Sequence, residues 1–228
     1  MILSGHQPNY LPGIVRFHKI ACSDMFMFCP RMQFEDGSWH NRNYIAGPTR
    51  PLLLSVPVKH GHGQSSEDAQ IDYSQPWQRK HIGSIRQAYQ KRPFFALYFP
   101  VLELLIREKY ASLARLNIAL MDIIMTWLGI DTSITFDTGV PESDSKTGYL
   151  INMCKRACAD GYLSGVNETY VNLQQFKDAG LSHSYQKFVH PVYDQGTPAF
   201  VENLSAIDWL FNVGPQAAEV VREWRHVD

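Results

Sequence analysis

The chain has 228 residues, of which 45% are hydrophobic and 19% are charged, and its 21 lysines and arginines nearly balance 22 aspartates and glutamates. This balance leaves no basic field for nucleic acid or an anionic membrane surface, and no run approaches the ~20 apolar residues that cross a bilayer. Since no targeting segment is recognised, we expect a cytoplasmic protein with no nucleic-acid partner and no membrane insertion.

The first elements are predicted to be a strand, a polar loop, a helix and a second strand. Apolar runs at residues 2–4 and 25–29 have strand character, and helical spacing covers residues 13–22. This order is a βαβ unit. Ligands of such sheets bind beyond the carboxyl ends of the strands, which is where the polar loop falls.

That loop is braced by Pro8 and Pro12, and the pre-proline residues Gln7 and Leu11 are expected to be extended. A turn needs fewer polar groups than this loop presents, so they are predicted to bind a small molecule. The alternative is that they satisfy the loop's own backbone. The predicted binding groups are His6, Gln7, Asn9 and Tyr10.

The segment before the next strand, predicted at residues 52–58, contains a second candidate group. Arg42 offers a planar fork for a carboxylate or phosphate, with Asn41 and Asn43 beside it. An exposed hairpin with an incidental arginine is an equally good interpretation.

Three helices are then predicted, at residues 77–91, 100–109 and 112–128, and they form a helical subdomain at about 77–128. His81 lies on the first of them, one turn after Trp77. Its row of aromatic and polar residues is a candidate for substrate binding, although a half-buried helix face is the more common origin of such a pattern.

The rest of the chain again alternates between predicted strands and helices. A strand is predicted at 133–136, a helix at 145–159 and a strand at 162–163, and further helices at 172–178, 206–211 and 215–224. The pattern predicts one domain over residues 1–228. Its fold class is α/β, with a Rossmann-like, mainly parallel sheet, flanking helices and a more helical C-terminal half.

A second histidine–proline pair occurs late in the chain. His190 is a candidate general base near neutral pH, with Tyr193 and Gln195 as hydrogen-bonding companions. Asp208 either orients a histidine or completes a capping box that begins at Ser205.

Several signatures are missing from the sequence, which has no GxGxxG, Walker A or GxSxG motif. Its four cysteines form no CxxC pair and are expected to be free thiols. His60 and His62 are a weak metal pair without further ligands at the usual spacing. No metal and no cofactor are therefore predicted.

Taken together, these motifs resemble the WbqC-like protein family, from the first strand to about Gly214. The resemblance rests on an opening and a closing block with shorter matches between them: residues 6–12, Trp39-x-Asn41-Arg42-Asn43-x-Ile45, Trp77-x-x-Lys80-His81, Tyr162-x-Ser164-Gly165, His190-Pro191-x-Tyr193-x-Gln195 and residues 204–214.

The resemblance implies a bacterial enzyme of surface-polysaccharide (O-antigen, lipopolysaccharide) biosynthesis, a transferase that moves an acyl or aminoacyl, glycyl-type group to an amino sugar or nucleotide-linked amino sugar. In this interpretation His6 or His190 deprotonates the amine, Arg42 holds a carboxylate or phosphate, and Asn41, Gln7 or Asn9 stabilises the oxyanion. Association with further copies of the chain stays open.

Two alternatives are kept. One is a nucleotidylyltransferase-like enzyme on a HUP-type fold, although the glycine–histidine step of the HxGH signature is absent. The other is a non-catalytic protein that binds a nucleotide sugar. In every case the partner is a small molecule, and the two histidine loops are expected to face one pocket with Arg42 between them.

Overall fold

The architecture is that of a computed structural model, which describes residues 1–59, 63–166, 168–197 and 199–224. The strands are β1 (Ile2–His6), β2 (Met25–Phe28), β3 (Arg42–Ile45), β4 (Leu52–Ser55), β5 (Ser133–Phe136), β6 (Gly161–Ser164) and β7 (Ser182–Tyr185). The helices are α1 (Ile14–Ala21), α2 (Trp77–Tyr89), α3 (Phe95–Arg107), α4 (Leu113–Trp127), α5 (Lys146–Ala157), α6 (Leu173–Asp178), α7 (Ala206–Val213) and α8 (Gln216–Trp224).

The main sheet has five parallel strands in the order β5-β2-β1-β6-β7, so the predicted α/β, Rossmann-like class is confirmed. Strand β1 lies at its centre. The chain first adds β2 on one side of β1 and later adds β6 on the other. Between β1 and β6 the order of the strands therefore reverses, and this is the point at which open α/β sheets bind their ligands.

The two faces of the sheet are buried under different helices, because successive side chains of a strand point to opposite faces. Phe26 and Phe28 of β2 belong to one core cluster with Phe17 of α1 and the apolar faces of α2, α3, α4 and α7. Met27 belongs to the other, with Met153 of α5. Helices α2 to α4 thus share a continuous core with the sheet.

The antiparallel hairpin of β3 and β4 packs beside this sheet as a separate two-stranded unit. Its attachment to the loop after β1 is specific: Asn43 donates through Nδ2 to the carbonyl of Leu11 over 2.6 Å. The hairpin therefore anchors the loop that follows β1.

Three expectations about local structure are wrong. Leu11 is not extended but left-handed, with φ of 43°. A left-handed residue costs about 1–2 kcal/mol, which its fully buried side chain and the bond from Asn43 offset. Helix α3 begins at Phe95, before Pro100, because its buried aromatic side chains outweigh the hydrogen bond that this proline lacks.

The third correction concerns the capping box at the start of α7. The Ser205 side chain makes no capping bond, and its buried Oγ has no partner. Asp208 instead turns toward Tyr193 and Gln195. Neither β3 nor β7 was predicted as a strand, although a hairpin at β3 was one of the two interpretations of that segment; β7 is largely polar, and among the described residues it pairs with β6 alone.

Within the described residues, none of the helices combines the length and the apolar character needed to cross a bilayer.

Candidate active site

A cavity of about 650 Å³ opens at the carboxyl edge of the central strands. Its walls come from the end of β1, the loops after β2 and β5, the start of α5 and the segment after β6. Five parts of the chain that are distant in sequence converge here, at the reversal point of the sheet. The lining includes His6, Gln7, Cys29, His40, Lys146 and Glu168.

His6 is the last residue of β1, and its ring carries a fixed tautomer. Its Nδ1 lies 2.9 Å from the backbone carbonyl of Gln7, which can only accept, so Nδ1 bears the proton. Burial and the nearby charges of Arg16 and Lys19 lower the pKa of His6 well below its usual value. At neutral pH the imidazole is uncharged and keeps the lone pair of Nε2, as a general base requires.

Gln7 lines the same cavity, but both polar atoms of its side-chain amide already form hydrogen bonds within the protein. Its Oε1 accepts from the Ser66 hydroxyl over 2.9 Å, and its Nε2 donates to the carbonyl of Gln33 over 3.3 Å. These bonds tie the loop after β1 to the loops after β2 and β4. Gln7 therefore fixes the position of the loop that directly follows His6.

A buried ion pair lies next to His6. The Lys19 ammonium donates to Glu168 Oε1 over 2.7 Å and to the carbonyl of Gly5 over 3.3 Å. Burial lowers the pKa of Lys19 to about 8, an effect that Glu168 opposes and Arg16 reinforces. Tyr162 closes the group: its hydroxyl donates to the carbonyl of Gly5 over 3.2 Å. The pair joins α1, β1 and the segment after β6.

Helix α5 points its first turn at the cavity. Ser145 caps it, accepting from the amide of Gly148 over 2.9 Å, and both Ser145 and Lys146 line the cavity. The first amides of a helix have no intrahelical acceptor and favour negative charge. Arg31 adds a second cationic side chain, while Glu35 and other carboxylates line the remainder.

The cavity lining also contains His40 and Cys29, two further side chains with ionisable groups. His40 accepts from the amide of Glu35 through Nδ1 over 3.2 Å, and burial lowers its pKa. Cys29 is buried, and this burial raises the pKa of its thiol strongly, so the thiol is protonated and unreactive at neutral pH.

Among the residues that the structure describes, the other predicted loop groups lie outside this lining. Tyr10 is fully buried and its hydroxyl is 2.8 Å from Nδ1 of His81, which belongs to the same core. Asn9 is also buried, and its Nδ2 has no partner. The pairing of Tyr10 with His81 is a structural contact between the loop and α2.

The hairpin residues do not reach the cavity either. Asn41 donates through Nδ2 to the carbonyl of Val56 over 3.0 Å, and Asn43 holds Leu11. Arg42, half-buried on β3, packs its guanidinium against the turn at Gly37. This part of the chain supports the loop, and Arg42 does not lie between two histidines.

His190 and its neighbours form a separate region. His190 donates through Nδ1 to the carbonyl of Pro191 over 2.9 Å and accepts through Nε2 from the amide of Asn203 over 3.3 Å. Asp208 is fully buried, and its Oδ2 accepts from the Tyr193 hydroxyl over 2.8 Å and from Gln195 Nε2 over 3.0 Å. None of these four residues is among the described lining of the cavity, so the two loops do not share it.

No group of three or more histidine, cysteine or acidic side chains within the described ranges is arranged to hold a metal ion. The weak pair formed by His60 and His62 lies outside those ranges. No disulfide joins the four cysteines within the described residues.

The residues missed by the sequence reasoning are those that the topology brings together: Lys19, His40, Tyr162 and Glu168. Lys19 and Glu168 are 149 residues apart in the chain, and no motif links them. The available signal was positional, since Lys19 follows the first strand on the buried face of α1 and Glu168 follows β6.

Comparison with known proteins identifies a family and a relative to which the chain is similar. The model of the WbqC-like protein family matches residues 7–220, nearly the whole chain. The chain is also 30% identical, over 224 residues that cover 96% of both proteins, to the uncharacterized protein Rv1507c of Mycobacterium tuberculosis. No solved structure matches it significantly.

Proposed function

The chain belongs to the WbqC-like protein family, and from its cavity we propose a transferase that moves an acyl or aminoacyl group onto the amine of an amino sugar or nucleotide-linked amino sugar. The observation that supports this proposal is the position and hydrogen bonding of His6. This residue lies at the reversal point of the sheet, with Nδ1 held by the Gln7 carbonyl and Nε2 free to accept a proton in the cavity. The setting proposed from the family resemblance is bacterial surface-polysaccharide synthesis.

The cavity has the size and the mixed charge that such a substrate needs. Small-molecule sites measure about 300–1,000 Å³, and this cavity measures about 650 Å³. Lys146, Arg31 and the first turn of α5 suit the phosphates of a nucleotide sugar. Carboxylates such as Glu35 lie in the same lining and suit an ammonium group before it is deprotonated.

The proposed reaction needs no protein nucleophile. The amine nitrogen attacks the acyl carbon, and Nε2 of His6 accepts the proton that the nitrogen loses. The tetrahedral intermediate then expels the donor's leaving group, which takes that proton from the imidazolium. Cys29, whose thiol is buried and protonated, forms no acyl intermediate in this scheme. Holding both substrates side by side supplies much of the rate enhancement.

Mass spectrometry tests the proposal. The purified protein is incubated with uridine diphosphate amino sugars and with acyl thioester or aminoacyl adenylate donors. We expect a product heavier than the sugar by the acyl group, with an amide at the amino position. Binding of the sugars without an amide from any donor would contradict transfer and favour a carrier. Release of pyrophosphate from a nucleoside triphosphate and a sugar phosphate would instead favour nucleotidyl transfer.

A further inference from the structure

Arg16 lies outside the described lining of the cavity, but its charge acts on His6 and His40, which line it, and the scheme above does not use it. It lies in the first turn of α1, one turn before Lys19. Helix α1 links two parallel strands and runs antiparallel to them, so its first turn lies at their carboxyl edge. Lys19, on the same face of the helix, is fixed by its bonds to Gly5 and Glu168. Arg16 therefore lies nearer to the carboxyl edge of these strands than Lys19.

Among the described residues, no carboxylate forms an ion pair with the guanidinium of the half-buried Arg16, and its buried Nε has no hydrogen bond. By contrast Arg86 and Arg107, whose side chains are 51% and 58% exposed, both pair with Glu103. Charges that are largely removed from water are normally paired, because desolvation disfavours the charged form when no partner compensates it.

Apart from Lys19, the groups on which the charge of Arg16 acts line the cavity. Its positive charge lowers the pKa of His6 and of His40, in each case adding to the larger effect of burial. Glu168 and Tyr162 in turn oppose the burial that lowers the pKa of Arg16 to about 10. Because Glu168 already pairs with Lys19, the charge of Arg16 is the unbalanced one in this cluster.

We propose that Arg16 binds an oxyanion of the substrate, a phosphate or a carboxylate, beside His6 in this cavity. The inference rests on the proposed function, since it uses the same cavity. A guanidinium presents several N–H donors in a planar fork that fits two oxygens of such a group. Arg16 is thus assigned the role that the sequence analysis predicted for Arg42, which is to hold a carboxylate or phosphate.

The test compares Arg16→Met with Arg79→Met, which removes an exposed arginine of α2. Binding of inorganic pyrophosphate and of glycine is measured by calorimetry, and thermal unfolding is followed with and without each. We expect at least one of them to bind the wild type and Arg79→Met equally, and Arg16→Met at least tenfold more weakly. Pyrophosphate binding identifies the group as a phosphate, and glycine binding identifies it as a carboxylate.

Stability separates binding from a structural role. Removing an unpaired buried charge should leave the midpoint of unfolding of ligand-free Arg16→Met unchanged or higher. Undiminished binding of both probes by Arg16→Met, or binding of neither by the wild type, would overturn the inference. If Arg16→Met does not fold, Arg16→Lys keeps the charge but not the fork, and the same tenfold loss is expected.

The outcome is independent of the transferase assay. Amide formation together with undiminished oxyanion binding by Arg16→Met would remove only the assignment of Arg16. Loss of binding in this variant, without an amide from any donor, would leave the oxyanion site standing and remove the transfer step.

Discussion

In both histidine–proline loops, Nδ1 of the histidine makes the same local hydrogen bond. The two loops differ in the surroundings of Nε2. His6 and His190 each hold Nδ1 2.9 Å from a backbone carbonyl of the following residue. In His190 the amide of Asn203 donates to Nε2, whereas the hydrogen bonds of the described chain engage only Nδ1 of His6. A histidine with both nitrogens occupied is a structural group, and one with an open lone pair in a cavity is available for chemistry.

The surroundings of the two loops differ in the same way. Around His190, Oδ2 of the fully buried Asp208 accepts hydrogen bonds from Tyr193 and Gln195, while its Oδ1 has no partner among the described residues. Around His6, the buried Nε of the Arg16 guanidinium has no partner among the described residues. Satisfied groups stabilise a fold, while unsatisfied ones are tolerated where a ligand completes them. The unpartnered oxygen of Asp208 lies outside the described lining of the cavity, whereas the unpartnered nitrogen of Arg16 lies beside His6, which a ligand in the cavity can reach.

The largest difference between the loops is expected in catalysis. His6→Gln should lower the rate of amide formation by about 10²–10⁴-fold, the usual contribution of a general base. The matched variant His190→Gln should change it by no more than about threefold, because His190 does not line the cavity. Single-turnover rates measured by mass spectrometry compare them. Equal losses in both variants would break the distinction between the loops.

The next largest effect is expected on stability, in the opposite region. Asp208→Ala leaves the Tyr193 hydroxyl without its acceptor and Gln195 Nε2 with one acceptor fewer, since only its bond to the carbonyl of Val201 remains among the strong ones. The free energy of unfolding should fall by about 3 kcal/mol, since each unsatisfied donor costs about 1–3 kcal/mol. Urea unfolding measures the loss. Asp208→Asn, which keeps one acceptor oxygen, should lose less, and pyrophosphate or glycine binding by the folded variants should stay at the wild-type level.

A smaller effect is expected at His81, a histidine satisfied inside the core. Its ring bonds the Tyr10 hydroxyl and the backbone of Ser55, and burial lowers its pKa to about 4. Because the unfolded ring titrates near 6.5, the unfolded chain binds the extra proton between these values. The stabilisation is complete above pH 6.5 and is lost as the pH falls toward 4.

This loss should be about 2 kcal/mol between pH 7 and pH 4.5. Urea unfolding at the two pH values measures it for the wild type and for His81→Gln, which cannot titrate. The stability of the variant should depend less on pH by that amount. An unchanged pH dependence would show that the ring of His81 is not held neutral by the fold.

Much of the fold follows from local pattern. The elements from β1 to β2 were predicted to within two residues, because short apolar runs are separated there by a helical repeat. Strand β7 was missed since an edge strand with one neighbour needs few apolar residues. Helix α3 was started too late because tertiary burial of Tyr98 and Phe99 outweighs the effect of Pro100.

The site was predictable only in part. His6 and Gln7 were found because a polar loop follows a strand, and the carboxyl end of that strand lies at the reversal point of the sheet. The choice between Arg16 and Arg42 depends on how the hairpin docks, which rests on single bonds such as that from Asn43 to Leu11. Glu168 depends on a pairing across most of the chain.

The most direct measurement of the central claim is NMR of the histidine side chains, assigned with the variants His6→Gln and His190→Gln. The Cε1–H signal of His6 should show a neutral ring well below pH 6.5, since burial lowers its pKa. Addition of a uridine diphosphate amino sugar should shift the His6 signal and leave that of His190 in place. A shift confined to His190, or a His6 ring that is charged at pH 6, would contradict the account.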